Sequence, residues 1–265
     1  MNRRWKGAAA ALLTTLTLTM PALGAEVAVN GNTLPSQQAW VEEGTSYITL
    51  RAFAACTPYE LSWDGRYARL TSQGLDLSAR PGELYITVNG RALYVEGGVR
   101  AVEGKTVLPL RVLARATGAR LSWDGASATA LLATEGAAPA SASYHEEDLY
   151  WLSRVISAES RGEPLLGQIA VGNVVLNRVS SKEFPNTIKA VVFDTKHGVQ
   201  FEPTSNGTIY DTPTESAVLA AKLCLEGAEV VGDCLYFYAP ALSAGRWIVN
   251  NRTYYTTIGC HKFYR

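Results

Sequence analysis

Histidine and cysteine are scarce in this sequence, which limits the metal chemistry that the chain can support. The 265 residues include three histidines, at positions 145, 197 and 261, and four cysteines. Cys56 is the only one of these that precedes residue 134, so the first half of the chain lacks the ligands of an ordinary copper site. The segment His145-Glu-Glu-Asp-Leu149 also lacks the second histidine of a zinc-peptidase helix. We therefore expect no metal and no cofactor.

The sequence also lacks an excess of charge of either sign. Its 24 lysines and arginines balance 24 aspartates and glutamates, and the charged fraction is 18%. Without the three basic residues near the N-terminus, the balance is 21 basic against 24 acidic side chains. Nucleic-acid-binding domains carry a basic patch or stripe, so we expect no nucleic-acid partner.

Long apolar runs are absent except near the N-terminus. Basic residues precede a run from Ala8 to Met20, and the small residues of Pro21-Ala-Leu-Gly-Ala25 follow it. This order predicts a secretory signal over residues 1–25, while the run is too short and too rich in threonine for a typical membrane span. We expect a bacterial protein that is exported and has no membrane span after cleavage, with an uncleaved anchor as the alternative.

Residues 26–133 contain two similar units about sixty positions apart. Leu61-Ser-Trp-Asp-Gly65 recurs as Leu121-Ser-Trp-Asp-Gly125. Each unit predicts a strand, a turn, a strand, a short helix and a hairpin that turns at Asp-Gly. The short helices are expected at residues 51–56 and 111–117. We interpret Trp63 and Trp123 as apolar anchors of the repeat, with a pair of sugar-stacking rings as the alternative.

This repeat resembles the copper amine oxidase N-terminal domain, which is attached to many exported bacterial proteins. The resemblance implies a targeting or wall-binding module, without copper for the reason given above. Residues 134–145 are small, polar and contain proline, which is typical of a linker. A second domain is therefore expected over residues 146–265.

The second domain is predicted to open with a helix that carries a glutamate on its apolar face. The helix should begin near Asp148. Its buried face is marked, at helical spacing, by Leu149, Leu152, Val155 and Ile156. Glu159 continues that face just before Gly162 and Pro164 end the helix. Burial and the negative end of the helix dipole favour a protonated carboxyl group, as a general acid requires. The alternative is a solvated glutamate, or one paired with Arg154, Arg161 or Arg178.

Several motifs occur in one order from Asp148 to the C-terminus. They are Ser157-Ala-Glu-Ser-Arg-Gly-Glu-Pro164, Val175-Leu-Asn-Arg178, Phe184-Pro-Asn-Thr-Ile188, Gln200-Phe-Glu-Pro203, Asn206-Gly-Thr-Ile209, Leu235-Tyr-Phe-Tyr-Ala-Pro240 and Ile258-Gly-Cys-His-Lys-Phe263. Together they resemble the spore cortex-lytic (SleB-type) cell-wall hydrolase domain. The resemblance implies a lysozyme-like fold, peptidoglycan glycan strands as substrate, and Glu159 as the catalytic acid. It also implies lytic transglycosylase chemistry between N-acetylmuramic acid (MurNAc) and N-acetylglucosamine (GlcNAc), with one glutamate.

The same motifs and the C-terminal aromatic residues supply the expected substrate-binding residues. The motifs contribute Gln200, Phe201, Glu202 and Asn206. Aromatic rings stack on sugars, and alternation along a predicted strand over residues 235–239 places Tyr236 and Tyr238 toward a cleft and Phe237 toward the core. Trp247 completes the set, in a predicted hairpin of residues 247–249 with 253–257.

The remaining elements give an α+β fold class. Helices are predicted over residues 165–180 and 213–226, the second opened by a capping box at Thr212-Pro-Thr-Glu215. Asn173 and Asn177 share a face of the first, where they either line the cleft or bond to backbone. We thus predict a β-rich duplicated domain, a linker, and a mainly α-helical catalytic domain with a small hairpin.

Two other functions fit parts of the sequence. A Cys-His endopeptidase acting on peptidoglycan peptides would use Cys224 or Cys260 with His197 or His261. A non-catalytic wall-binding protein would need only the repeats, but the intact motif around Glu159 argues against it. Cys224, Cys234 and Cys260 offer alternative disulfide pairs, or all four cysteines are free thiols. The expected location is outside the cell, in the cell wall or spore envelope.

Overall fold

The computed structural model describes residues 25–196 and 198–265. The predicted export signal, apart from Ala25, and His197 lie outside these ranges. Strands dominate the described chain up to residue 133 and helices dominate after residue 145, so the fold is mixed α+β, as predicted. Within the two described ranges, no helix has the length and apolar character that a membrane span requires.

The N-terminal region consists of three sheets and two short helices. Its elements are β1 (Glu26–Val29), β2 (Asn32–Thr33), β3 (Ala39–Glu42), β4 (Thr45–Thr49), α1 (Leu50–Ala55), β5 (Glu60–Trp63), β6 (Ala68–Ser72), β7 (Leu75–Ala79), β8 (Tyr85–Val88), β9 (Arg91–Tyr94), β10 (Arg100–Val102), β11 (Lys105–Pro109), α2 (Leu110–Thr117), β12 (Arg120–Asp124) and β13 (Thr129–Ala133). The sheet orders are β12-β13-β1-β2, β10-β11-β4-β3 and β5-β6-β7-β8-β9. Because β1 pairs in parallel with β13, the first and last strands close the region on itself.

The sheet of order β10-β11-β4-β3 joins the two similar units. β4 and β11 are antiparallel, with Ile48 opposite Leu108, and both residues are fully buried. Each strand leads directly into its helix, and the Thr49 side chain accepts a hydrogen bond from the Ala52 backbone N–H to cap α1. The helices begin one residue before the predicted bounds. They pack into one apolar cluster with the strands, where each fully buried large side chain contributes about 1.5–3 kcal/mol. The duplication itself stays a prediction.

The C-terminal region packs helices beside a three-stranded sheet. Its elements are α3 (Glu146–Ser160), α4 (Leu165–Ser180), α5 (Ile188–Val192), α6 (Pro203–Asn206), a 3-10 turn (Thr208–Tyr210), α7 (Glu215–Leu225), β14 (Tyr236–Tyr238), α8 (Arg246–Asn251), β15 (Tyr254–Ile258) and β16 (His261–Tyr264). The sheet order is β14-β16-β15. Helices α3, α4 and α7 contact one another along their lengths.

Gly172 permits the close approach of these three helices. A Cβ atom there would lie 2.7 Å from the Cys224 sulfur on α7 and 2.8 Å from Cδ1 of Ile156 on α3. The α4 asparagines, which follow Gly172 at positions 173 and 177, bond to backbone, which is one of the two predicted alternatives. The Asn173 amide donates to the Ala228 carbonyl at 2.6 Å, and the Asn177 amide donates to the Gly232 carbonyl at 2.7 Å. These bonds fix the chain that leads from α7 into β14.

The two regions are in direct contact. Arg91 on β9 forms a two-pronged ion pair with Glu226 just after α7, at 2.9 and 2.7 Å, and both side chains are largely buried. The predicted linker contains no helix or strand. It nevertheless bonds to the N-terminal region, because the Ala142 N–H donates to the Asn89 carbonyl and the Tyr144 hydroxyl accepts from the Ala92 N–H.

Three local predictions were wrong. Trp63 and Trp123 are 57% and 56% exposed, so they do not anchor a core. Residues 247–249 lie in α8 rather than in a strand, and the hairpin that does form pairs β15 with β16. The capping residue of α7 is Thr214, whose hydroxyl accepts from the Ala217 N–H, so the helix begins two residues later than predicted.

Candidate active site

Glu159 lies in the last turn of α3, where the helix leaves the core. The preceding apolar residues Leu152, Val155 and Ile156 are fully buried, and Glu159 continues their face at intermediate burial. The helix ends one residue later, at Ser160. Among the described residues, the Glu159 side chain takes part in no ion pair or side-chain hydrogen bond. The predicted alternative of a pairing with a neighbouring arginine is therefore not what the structure contains.

Burial controls the ionisation of Glu159. Loss of hydration raises its pKa from the ordinary 4.5 to about 7, and the nearby negative charge of Glu202 adds to this rise. The guanidinium group of Arg178 acts in the opposite direction. The carboxyl group is thus divided between its protonated and ionised forms near neutral pH, where a group that both gives and takes a proton is most effective.

Arg178 is the buried cation of the site. It lies near the end of α4 and is 5% exposed. Its Nε donates to the Leu235 carbonyl at 2.8 Å, and its guanidinium carbon lies 4.9 Å and 5.2 Å from the ring centres of Phe184 and Phe201. Burial lowers its pKa to about 10, while its Nη1 atom is buried without a hydrogen-bond partner. The last residue of the Val-Leu-Asn-Arg motif therefore supplies a fixed positive charge beside Glu159.

Two of the predicted sugar-binding aromatics lie together next to this cation. The ring centres of Tyr236 on β14 and Trp247 on α8 are 5.7 Å apart. Arg252 contacts both rings, with its guanidinium carbon at 4.5 Å and 4.9 Å from their centres, and it donates to the Tyr236 hydroxyl at 2.8 Å. Trp247 is 57% exposed, so the cluster presents an open aromatic surface although Trp247 lies on a helix.

Tyr238 lies apart from that cluster. Its ring centre is 5.9 Å from that of Tyr264, and a Cβ atom on Gly245 would collide with it. Phe237, on the other side of β14, packs against the core, as the alternation predicts. The strand therefore separates its side chains as expected, but Tyr238 contacts the C-terminal strands rather than Trp247.

The four residues taken from the loop motifs have different environments. Glu202 is exposed at the start of α6 and near enough to Glu159 to affect its charge. Phe201 is 2% exposed and forms part of the helical core, so its ring is a support beneath the site and not a sugar contact. The Asn206 side chain accepts hydrogen bonds from Thr208, and the Gln200 amide donates to the Gly198 carbonyl.

Glu163 has a role that the sequence did not indicate. Its Oε2 accepts a hydrogen bond of 2.9 Å from the Cys260 N–H, and its Oε1 lies 3.7 Å from His261 Nδ1. Gly259 lies at the turn with φ +56°, and a side chain there would collide with the Glu163 carboxylate. Glu163 thus holds the β15–β16 turn against the end of α3.

The cysteines do not form a nucleophile site in the described chain. All four are free thiols. Burial raises the pKa of Cys224, and the neighbouring Glu163 carboxylate raises that of Cys260, whereas a reactive thiol has a lowered pKa. His261 is itself buried against the Phe237 ring. No group of three or more histidine, cysteine, aspartate or glutamate side chains in residues 25–196 and 198–265 could hold a metal.

Two family models match separate parts of the chain. Residues 162–264 match the family described as Cell Wall Hydrolase, a match that starts just after Glu159. Residues 28–132 match the Copper amine oxidase N-terminal domain. The cell wall hydrolase CwlJ of Oceanobacillus iheyensis is 32% identical over 103 residues, which cover 37% of this chain and 72% of that protein.

Two further relatives match the same half of the chain. A spore cortex-lytic enzyme of Bacillus cereus is 38% identical over 120 residues, covering 45% of this chain and 45% of that enzyme. The chain therefore spans less than half the length of that relative. The solved catalytic domain of the germination-specific lytic transglycosylase SleB from Bacillus anthracis is 36% identical and covers 48% of this chain and 100% of that one, with a TM-score of 0.43.

Proposed function

This chain belongs to the cell wall hydrolase family, and we propose that it is an exported enzyme that degrades peptidoglycan. The proposed reaction is cleavage of the glycan strand between MurNAc and GlcNAc by lytic transglycosylation, with Glu159 as the single catalytic acid and base. The observation that carries this proposal is a half-buried carboxyl group that has no ion pair with any described residue and whose pKa is raised to about 7. A carboxyl group in that state can donate a proton at neutral pH and recover it later.

The proposed mechanism has two proton transfers. Protonated Glu159 gives its proton to the glycosidic oxygen, the bond between that oxygen and C1 of MurNAc breaks, and the GlcNAc end leaves as an alcohol. Positive charge then develops at C1. The 6-hydroxyl of the same MurNAc attacks C1 and closes an anhydro ring, and its proton passes to the Glu159 carboxylate. The acid is regenerated, and no water is consumed.

The neighbouring charges fit this alternation. While Glu159 is protonated, the carboxylate of Glu202 disfavours loss of the proton; once Glu159 is ionised, the positive charge of Arg178 stabilises it. Glu202 also has the sign that would stabilise the positive charge that develops at C1. Glu202 is the described carboxylate best placed to take the second role that a hydrolase would need.

Product analysis tests the chemistry. Glycan strands digested by the purified protein should release muropeptides that end in 1,6-anhydro-MurNAc, identified by mass spectrometry as lighter by one water than the reducing-end products. Products with reducing ends alone would mean that the enzyme is a hydrolase and not a transglycosylase. Glu202 would then be the candidate for positioning the attacking water. Glu159→Gln should lower the rate at least ~100-fold, the usual contribution of a general acid. Glu183→Gln, at an exposed position, should leave the rate unchanged.

The wider assignment is part of the same proposal. We propose a lysozyme-like catalytic domain over residues 146–265 and a duplicated N-terminal domain over residues 26–133, joined by residues 134–145. An exported protein with a peptidoglycan substrate would act in the cell wall or spore envelope. Tyr236 and Trp247, 5.7 Å apart beside the arginines, are the most favourable described platform for a sugar ring.

A further inference from the structure

A second cleft lies in the N-terminal region, away from Glu159. It encloses about 650 Å³ between α1, the β5–β6 hairpin and the β10–β11 hairpin. Leu50, Ala54 and Leu61 contribute its apolar floor, and Trp63 stands at its edge. A cleft of this volume with an aromatic edge is in the size range of small-ligand sites.

Trp63 is on the inward face of its strand but has no core partner covering it. Alternation places Leu61 and Trp63 on the same side of β5, and Leu61 packs against the core cluster. Opposite Trp63 in the neighbouring strand is Ala68, whose small side chain lines the cleft. Trp63 is therefore 57% exposed and lines the cleft, at a position where burial would otherwise be expected.

The charge of the cleft has one sign. Its lining includes Arg51 and Lys105 and no acidic residue. Lys105 is paired with Glu103 at 3.1 Å on the solvent side. Arg51 is exposed and takes part in no ion pair within residues 25–196 and 198–265. An apolar ring beside a free guanidinium group suits a ligand that combines a sugar ring with a carboxylate.

We propose that this cleft is a second binding site for peptidoglycan, in which Trp63 stacks on a sugar ring and Arg51 binds a carboxylate of the attached peptide. The ligand class rests on the proposed function, since peptidoglycan is the polymer that the enzyme would act on. Such a site holds the enzyme on an insoluble substrate while the glycan chain at Glu159 is exchanged. It requires no chemistry at the cleft itself.

Trp123 provides a matched control for Trp63. It occupies the same place in the other Leu-Ser-Trp-Asp-Gly segment, is 56% exposed, and lies opposite Ala130. It does not line this cleft. Both tryptophans are replaced singly by alanine in full-length protein that also carries Glu159→Gln, so that binding is measured without cleavage. Thermal unfolding of each variant checks that the exposed substitutions leave the fold intact.

Binding to purified sacculi is measured by sedimentation over a range of sacculus concentrations. Trp63→Ala should weaken the apparent affinity about tenfold, the effect of one lost aromatic stack of about 1.4 kcal/mol, whereas Trp123→Ala should stay within about twofold. Equal losses in the two variants, or no loss with Trp63→Ala, would overturn the proposal. Arg51→Gln should weaken binding of a soluble disaccharide-tetrapeptide but not of the same compound with its carboxylates amidated. If the parent protein bound both compounds equally, the proposed binding of a carboxylate by Arg51 would be refuted.

Cleavage assays distinguish failure of the proposed binding site from failure of the proposed reaction. With Glu159 intact, Trp63→Ala should cleave soluble glycan fragments at the parental rate and insoluble sacculi more slowly. Sacculi that are bound through Trp63 but never cleaved would refute the proposed reaction and leave the binding site standing. Cleavage of both substrates at the parental rate by Trp63→Ala would refute the binding site alone.

Discussion

Glu159→Gln should make the protein more stable than the parent at alkaline pH and nearly as stable at acidic pH. The carboxyl pKa is about 7 in the folded protein and about 4.5 when the chain unfolds and the group is hydrated. Below pH 4.5 the carboxyl group is protonated in both the folded and the unfolded protein, so no charge is buried on folding and the ionisation of Glu159 costs little stability. As pH rises toward 7, the unfolded chain loses the proton while the folded one retains it. Above pH 7 the folded protein carries a buried charge, and the loss of stability is complete.

The difference of about 2.5 between the two pKa values fixes the magnitude. At pH 5 the parent should be less stable than an uncharged equivalent by about 1 kcal/mol, and at pH 8 by about 3 kcal/mol. Glutamine has nearly the same shape as glutamate and no charge. We therefore expect the stability gained by Glu159→Gln to be about 2 kcal/mol larger at pH 8 than at pH 5, equivalent to a melting temperature difference of about 4–8 °C.

The comparison across pH isolates ionisation from packing. Thermal and urea unfolding of the parent, Glu159→Gln and Glu183→Gln are followed by circular dichroism at pH 5 and pH 8, at constant ionic strength. Any pH-independent effect of the substitution cancels in the difference between the two pH values. A gain that is equal at both pH values would refute the reasoning, because the carboxyl group would then be hydrated and would not hold a proton near neutrality.

Two further substitutions test the surroundings of the site. Glu202→Gln removes a charge that raises the Glu159 pKa, so the alkaline fall of kcat/KM should move to lower pH, by at most about one pH unit because burial is the larger cause; a shift to higher pH would contradict this. Gly172→Ala should lower the stability by about 1–3 kcal/mol in urea unfolding, since the new methyl group meets Cys224 and Ile156, whereas Gly162→Ala meets nothing and should be tolerated.

The elements around Glu159 could be predicted because local and tertiary signals agree there. The apolar residues of α3 and α4 recur at helical spacing, and proline stands directly before α4, so helix positions followed from the sequence to within a few residues. Motif order then pointed to Glu159. The sequence could not reveal which charges face it, since Arg178 and Glu202 are brought beside it by packing of α4 and α6 rather than by any spacing along the chain.

The predictions of a strand at residues 247–249 and of a buried Trp63 failed because tertiary packing overrode the local sequence preference. Trp247-Ile-Val249 favours a strand by composition, but Gly245 precedes it with φ +56° and starts α8, and the Asn251 amide donates to the Trp247 carbonyl within it. A tryptophan on the inward face of β5 predicts a core anchor. α1 ends at Ala55, and a cleft is left between α1 and the hairpin that holds Trp63. In both places tertiary geometry decides the outcome and overrides the local preference.

Opposed charges around one carboxyl group explain how a single residue could serve as both acid and base. Without Glu202, Arg178 alone would lower the Glu159 pKa and leave less protonated acid at neutral pH; without Arg178, Glu202 alone would raise the pKa and make the proton harder to donate to the glycosidic oxygen. Arg178 is held rigidly by the Leu235 carbonyl, whereas Glu202 is exposed, so a bound glycan strand that excludes water strengthens the Glu202 repulsion more than the Arg178 attraction. In the proposed mechanism, substrate binding would therefore favour the protonated form of Glu159 when the first proton transfer needs it.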